Sequence, residues 1–460
     1  MIDIASTLEE IESNYDVSKI KVNNIILWPY LRYLMADALL KEDEITRKKE
    51  KKNQLKIKYK KIKNLKYGFL NLFKPCEALF ISTSKERKFL GDTSISKNIN
   101  EIYKRYENAI LIEHAFDNVH FDIKTVSEKN IVSLSFIEIL SSLIRKIRLL
   151  KLKISGNEII SSINNKYGIN FDLKSKNLEF ISNYYIFRFL LKLKKPKILY
   201  ISVWYGYGPV IKAAKDLGIT TVEIQHGSFH EDHYSYNMKK IIDSTHYPDH
   251  ILTLSQKYVD FLKREELQRN KIFNAVAVGS FLENTKKIPP INKNKFKEFE
   301  YIVCMSATIN ASKIEYDFIT QLSNKLKKVL FIYLPRRENE FTSKKNLIIA
   351  KKFTASDYLP ICDLHITGES TCMYEAAFFE KKTLIYTPFI ELQSQKENFK
   401  TKLSKFPSIY RFIEDSDDII SIIRDELENG IINLNEIKAQ NLYESGYNEN
   451  ITNFINKISK

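Results

Sequence analysis

Glycine is scarce in this sequence, with 12 among 460 residues, so a glycine at the end of an apolar run is informative about the backbone there. Cysteine is scarcer still. Cys76, Cys304, Cys362 and Cys372 stand far apart, without the paired spacings of a zinc site or a disulfide framework, and read as reduced structural thiols. No early apolar run is long enough to span a bilayer, and the most apolar stretch, 25–40, carries Arg32 and Asp37. The N-terminus, MIDIASTLEEIESNYD, lacks the basic and apolar regions of a signal peptide, so the chain is expected in the cytoplasm. Acids are outnumbered, 56 against 72 Lys and Arg, which leaves a formal charge of +16. That balance favours polyanions: nucleotide phosphates, an anionic membrane face or nucleic acid. Walker loops, zinc motifs, Gly-x-Ser-x-Gly elbows and recognisable nucleic-acid modules are all missing.

What is present suffices for large cores, since 44% of residues are hydrophobic and the length favours two domains. Residues 1–68 read as a helical extension, with Trp28-Pro29 as a break between two helices and a lysine-rich run at 46–66. Such a run is commonly a solvated face and less often a polyanion-binding patch. From residue 69 strand-like runs begin, at 78–82 and 109–114. Phe136, Leu140, Leu143, Ile147 and Leu150 then form a helical stripe flanked by Arg145, Lys146 and Arg148. A basic amphipathic helix of this type lies on anionic lipid or packs on its own domain, and both readings stay open.

A regular alternation follows. KILYISVW (197–204), the Gly206-Tyr207-Gly208 turn, a helix opened by Pro209, and TTVEIQHG (220–227) make a strand–helix–strand unit. The pattern predicts one Rossmann-like domain over 69–284, a linker at 285–298, and a second Rossmann-like domain over 299–430. A helical tail is expected at 431–460. The fold class is therefore α/β, two doubly wound domains facing a central cleft, and ligands of such sheets bind beyond the carboxyl ends of the strands.

Four strand ends carry candidate chemistry. His226 follows a strand and precedes Gly227, where an imidazole suits proton transfer, and Glu231 or Asp232 could orient it or act in its place. A histidine that merely caps the strand is the plainer alternative. Gly368-Glu369-Ser370-Thr371 opens a helix after another strand, a place that suits phosphate, and Glu375 lies one turn on, where it could accept from ribose hydroxyls. An ordinary serine N-cap accounts for the same residues. Ser306 and Thr308 follow a third strand, and Arg336 and Arg337 a fourth, where guanidinium groups could clamp a pyrophosphate. Trp204, Tyr205 and Tyr207 crowd the end of the 197–204 strand and could stack on an acceptor sugar, with Gln225 and Gly227 as further acceptor-side candidates, although core packing is the commoner use of such rings.

EIQHGSF (223–229), DYLPICDLHITGESTCMYEAAFFEKKTLIY (357–386) and ILWPYLR (26–32) together resemble bacterial GT-B glycosyltransferases of capsule and lipopolysaccharide synthesis. The second run also resembles CDP-glycerol glycerophosphotransferases. The resemblance covers about residues 195–390 well and the first 190 loosely. It implies metal-independent transfer of a sugar from a nucleotide-sugar to a glycan or lipid-linked acceptor, with no cofactor beyond that co-substrate and no nucleic-acid partner. It implies His226 as the base at the acceptor, and Ser370, Thr371 and Glu375 at the donor nucleotide. LPRR (334–337) stands where sialyltransferase-like relatives carry His-Pro, which counts against a CMP-sialic acid donor. A polyol-phosphate transferase, a nucleotide-sugar epimerase, and a non-catalytic module binding polyanions or membrane are the alternatives. Peripheral contact with the inner membrane goes with the basic segments.

Overall fold

The computed structural model describes residues 4–458 except 44–53, 91–92, 147–151, 228–232, 239, 265–273, 288, 309–311, 336–340, 351–353, 369 and 391–392. The chain divides into two compact units. The first holds Met1–Arg87, Thr93–Val278 and Asn448–Lys460, and the second holds Lys88–Asp92 and Gly279–Tyr447.

The first unit is built on a seven-stranded sheet. Its strands are Ala78–Thr83 (β1), Ala109–His114 (β2), Ile131–Ser133 (β3), Ile198–Ile201 (β4), Thr220–Ile224 (β5), His250–Thr253 (β6) and Asn274–Ala277 (β7). They lie in the order β3-β2-β1-β4-β5-β6-β7, and every pair is parallel. The chain runs outward from β1 to β3, returns to β4 on the other side of β1, and continues to β7. This is the doubly wound order, and its switch point falls between β1 and β4. All four residues of β4 are buried because helices cover both faces, which is why the strand reads as an unbroken apolar run.

The covering helices begin with Ile4–Asn14 (α1), Trp28–Asp43 (α2), Gln54–Asn64 (α3) and Ser135–Lys146 (α4). Leu173–Lys194 (α5) and Gly208–Lys215 (α6) follow. Trp28-Pro29 opens α2 rather than separating two helices directly. The break lies upstream, in a small antiparallel turn, Lys21–Val22 against Ile25–Ile26, with Asn23 and Asn24 both at positive φ. Pro29 falls in the first turn of α2, where a missing N–H costs nothing. Leu8, Ile11, Leu31, Met35 and Leu39 join the apolar core of this unit. The Trp28 indole and the Arg32 guanidinium both donate to Glu12 Oε1 at 2.8 Å, a buried knot that ties α1 to α2.

The second unit repeats the plan with six parallel strands. These are Tyr301–Ser306 (β8), Val329–Leu334 (β9), Leu347–Ile349 (β10), Leu364–Thr367 (β11), Lys382–Tyr386 (β12) and Tyr410–Ile413 (β13). Their order is β10-β9-β8-β11-β12-β13, so the switch point lies between β8 and β11. Ser312–Lys325 (α7) and Cys372–Phe378 (α8) follow β8 and β11. Tyr447–Ile458 (α9) closes the described chain. The expected two-domain α/β architecture is thus the one observed. The short strands β3 and β13 lie outside the runs expected from sequence. Among the described residues no helix is long and apolar enough to cross a membrane.

Candidate functional site

In the first unit the carboxyl ends of β1, β4 and β5 bring one titratable constellation together. His226 follows β5 and is exposed. Its turn is fixed by Gln225, which is buried. The Gln225 amide donates to Gly227 O at 2.7 Å, and its Oε1 accepts from Leu254 N at 2.8 Å. Gln225 thereby joins the turn after β5 to the end of β6, and the imidazole is presented on a braced backbone. No described atom lies within 4 Å of where a Gly227 Cβ would stand, and the residue has no positive φ, so its lack of a side chain relieves no backbone strain.

The groups around His226 come from the neighbouring strand ends. The residue is exposed overall, yet the surrounding atoms displace enough water that desolvation holds its pKa below the ordinary imidazole value. Glu86 acts in the opposite direction, Lys97 and Lys85 in the same one, and a hydrogen bond with the Ser202 backbone opposes the shift. The imidazole is therefore neutral at pH 7, the state a general base needs. Glu86 accepts from Ser82 Oγ at 2.9 Å. The loop carrying Lys85 and Glu86 is pinned by the next residue, Arg87, buried between Glu113 and Glu128.

The aromatic residues divide. Trp204 is buried and packs edge-on to Tyr205 and against Tyr247, so it is core and no open stacking platform. Tyr205 lies among Tyr33, His233 and Tyr236. Tyr207 lines a cavity of about 670 Å³ together with residues of α3, α4, α5 and α6. Glu231 and Asp232 lie outside the described residues.

Two residues of this region escaped the sequence reading. Glu223, on β5, is fully buried; one oxygen accepts from Tyr236 OH at 2.6 Å and from Trp204 N at 3.2 Å, and the other has no partner among the described residues. Desolvation pushes its carboxyl up to about 8, so it is protonated at neutral pH. Arg32, already bound to Glu12, also donates to the carbonyls of Tyr234 and Asn237. The ILWPYLR segment therefore anchors the backbone that leaves the His226 loop. Only the pairing of a buried-face arginine with an upstream glutamate signalled this in the sequence.

In the second unit the switch-point strand ends are occupied by interior hydrogen bonds. Ser306 is buried, and its Oγ lies 3.0 Å from His365 Nε2, whose other ring nitrogen is 3.1 Å from Thr383 Oγ1. Desolvation takes His365 down to about 3, so this histidine is a neutral pillar between β8, β11 and β12. Thr308 gives both its backbone N–H and its hydroxyl to Glu315 Oε1, at 2.8 and 2.7 Å, and Tyr333 OH donates to the other oxygen at 3.1 Å. These contacts lock α7 onto the strand ends. Gly368 is demanded by packing, since a Cβ there would lie 2.5 Å from Phe389 Cβ and 2.9 Å from Thr308 Cγ2. Ser370 is buried and its Oγ accepts from Cys372 N at 3.3 Å, while the N-cap of the seven-residue α8 is Thr371 rather than Ser370. Thr371, which flanks α8, is exposed, and Glu375, in its first turn, is half-buried. Glu369, Arg336 and Arg337 lie outside the described residues.

No family model matches the chain, and no curated protein matches it in sequence. Solved structures do. The UDP-GlcNAc 2-epimerase of Methanocaldococcus jannaschii aligns over 83% of this chain and 99% of its own, at 10% identity and a TM-score of 0.49. The UDP co-structure of Staphylococcus aureus MnaA aligns over 84% and 98%, at 12% identity and a TM-score of 0.47. The wall teichoic acid polymerase TagF aligns over 89% and 98%, at 11% identity and a TM-score of 0.47. The likeness is one of general architecture and assigns no ligand or reaction to this chain.

Proposed function

We propose that this protein is a glycosyltransferase of bacterial surface-glycan synthesis, moving a sugar from a nucleotide-activated donor onto an acceptor hydroxyl. The observation that carries the reading is His226: an accessible imidazole, kept neutral by desolvation, on a turn braced by Gln225 at the end of β5 and beside the β1–β4 switch point. In this reading the imidazole takes the acceptor proton as the oxygen attacks the anomeric carbon, and the nucleotide leaves with the glycosidic electron pair. The donor belongs to the second unit, at the β8–β11 switch point, with the exposed Thr371 and the half-buried Glu375 as its candidate side chains. Ser306 and Thr308 serve this site by shaping its floor, because their hydroxyls bind His365 and Glu315, while the Ser370 hydroxyl only accepts from Cys372 N and keeps its proton for a donor phosphate.

The test is a titration with UDP, CMP, CDP and GDP, followed by turnover assays with sugar conjugates of whichever nucleotide binds. One nucleotide should bind selectively, and Glu375→Ala should weaken it about ten-fold. His226→Ala should leave that binding intact and lower turnover by roughly 10²–10⁴. Wild-type turnover by His226→Ala would remove the base assignment. Conversion of a nucleotide-sugar with no acceptor present would replace transfer by epimerisation.

A further inference from the structure

The long helix α5 is apolar on both its inner and its outer side. Phe180, Ile181, Tyr184, Phe187 and Leu191 are buried in the core of the first unit. Tyr185, Phe189 and Leu193 recur at four-residue intervals and so share another face. That face is open, with Phe189 71% and Leu193 65% exposed. A helix apolar all round belongs in an interior, yet nothing among the described residues covers this side of α5.

A second apolar element meets it. The turn Phe69–Phe73 buries Leu72 and leaves Leu70 and Phe73 at 76% and 73% exposed. Gly68, just before it, has a φ of 71°, and a Cβ there would strike the Ile131 carbonyl. Asn71 Nδ2 donates to that same carbonyl at 2.8 Å, so the turn is fixed on the edge strand β3 with its rings outward. Lys194 Nζ, at the end of α5, donates to Lys74 O at 2.8 Å, which holds the helix end and the turn together on one surface.

The charge around these side chains is of one sign. Lys66, Lys74, Arg188, Lys192 and Lys195 flank them, and neither 63–74 nor 185–195 contains an acid. Glu77 and Glu179, the acids closest in sequence, pair with Lys197 and Lys176. Exposed rings and aliphatic groups inside a basic rim match an anionic bilayer, where the apolar groups enter the acyl boundary and the cations meet the head groups. A second copy of this chain fits the face poorly, because a two-fold contact would set the lysines of both copies against each other. The amphipathic helix that sequence leaves open between lipid and core, α4, packs Phe136, Leu140 and Ile144 against the core instead.

We propose that the outer face of α5 and the Phe69–Phe73 turn form a docking surface for an anionic lipid bilayer. Leu70, Phe73, Phe189 and Leu193 insert, and the flanking cations lie at the head groups. The surface is independent of the transfer reading and requires neither donor nor acceptor.

The full-length protein is mixed with vesicles of phosphatidylcholine, with or without phosphatidylglycerol, and binding is read by flotation. The wild type should float with the phosphatidylglycerol vesicles, and less so as salt rises. Phe73→Ser combined with Phe189→Ser should weaken binding about ten-fold or more, with the urea unfolding midpoint unchanged because both side chains are exposed. Lys66→Glu combined with Lys192→Glu should weaken it in the same direction. Phe73→Trp and Phe189→Trp give a second readout: the added fluorescence should shift to the blue on these vesicles and be quenched by brominated acyl chains. Ile431→Trp, at an exposed position in the second unit, should show neither change. The proposal is overturned if the wild type ignores phosphatidylglycerol vesicles, if the double serine variant binds them as the wild type does, or if brominated lipid leaves the added indoles unquenched. It is equally overturned if the wild type sediments as a dimer without lipid and the double serine variant as a monomer, since a second copy would then cover the face.

Discussion

Replacing Glu223 by Gln should change how the first unit's stability depends on pH. The wild-type carboxyl is buried, holds hydrogen bonds from Tyr236 OH and Trp204 N on one oxygen, and has no partner among the described residues on the other. Desolvation raises it from an ordinary 4.5 to about 8. The folded state thus binds a proton that the unfolded chain releases as pH rises through the ordinary value. Stability is fully present below about pH 4.5 and is lost progressively up to the folded pKa. A shift of this size integrates to a loss of about 3 kcal/mol between about pH 5 and pH 7.5 from this one group. Gln keeps the oxygen that accepts from Tyr236 and Trp204 and does not titrate, so the variant should lack that loss. Urea unfolding followed by tryptophan fluorescence is the assay, because Trp28 and Trp204 are the only tryptophans and both lie in the first unit. The variant should be the more stable protein at pH 7.5, with the gap closing toward pH 5. Parallel pH profiles would refute the reasoning, since they would require Glu223 to be ionised and paired in the fold.

Arg32→Met should destabilise the first unit by about 3–5 kcal/mol, because it leaves Glu12 buried with the Trp28 indole as its remaining donor among the described residues. The double variant with Glu12→Met should recover much of that loss in the same urea assay, and no recovery would place the cost in lost packing. Gly368→Ala should cost the second unit about 1–3 kcal/mol, since its Cβ would lie 2.5 Å from Phe389 Cβ; an unchanged melting temperature would mean that the β11 end shifts freely. The acidic limb of kcat/KM should fall at a pH below the ordinary imidazole value and disappear in His226→Ala, because desolvation is the largest influence on that ring.

The strands were legible because parallel sheets are covered on both faces, so β1, β4, β8, β9 and β12 read as continuous apolar runs ended by turn residues. The doubly wound order followed from their alternation with helices. His226 was legible for the same reason: a polar residue and a glycine directly after an apolar run mark a strand end. What sequence could not separate was a hydroxyl that faces a ligand from one that faces the core. Ser306, Thr308 and Ser370 have the right chemistry and the right strand ends for phosphate. Yet His365 and Glu315, 59 and 7 residues away, already hold the first two, whereas Ser370 only accepts from the nearby Cys372 N and keeps its own proton to donate. The partners that decide this are brought in by the sheet register, β8 against β11 and α7 against β8, and register is a property of pairing rather than of a local pattern. The same holds for Arg32. Its partners at 12, 234 and 237 meet only once α1 and α2 pack on the sheet, and that packing converts a charge in an apolar helix into an anchor for the loop after β5. In this protein the candidate chemistry was readable one strand end at a time. The polar groups that hold each end in place became visible only when the strands were set side by side.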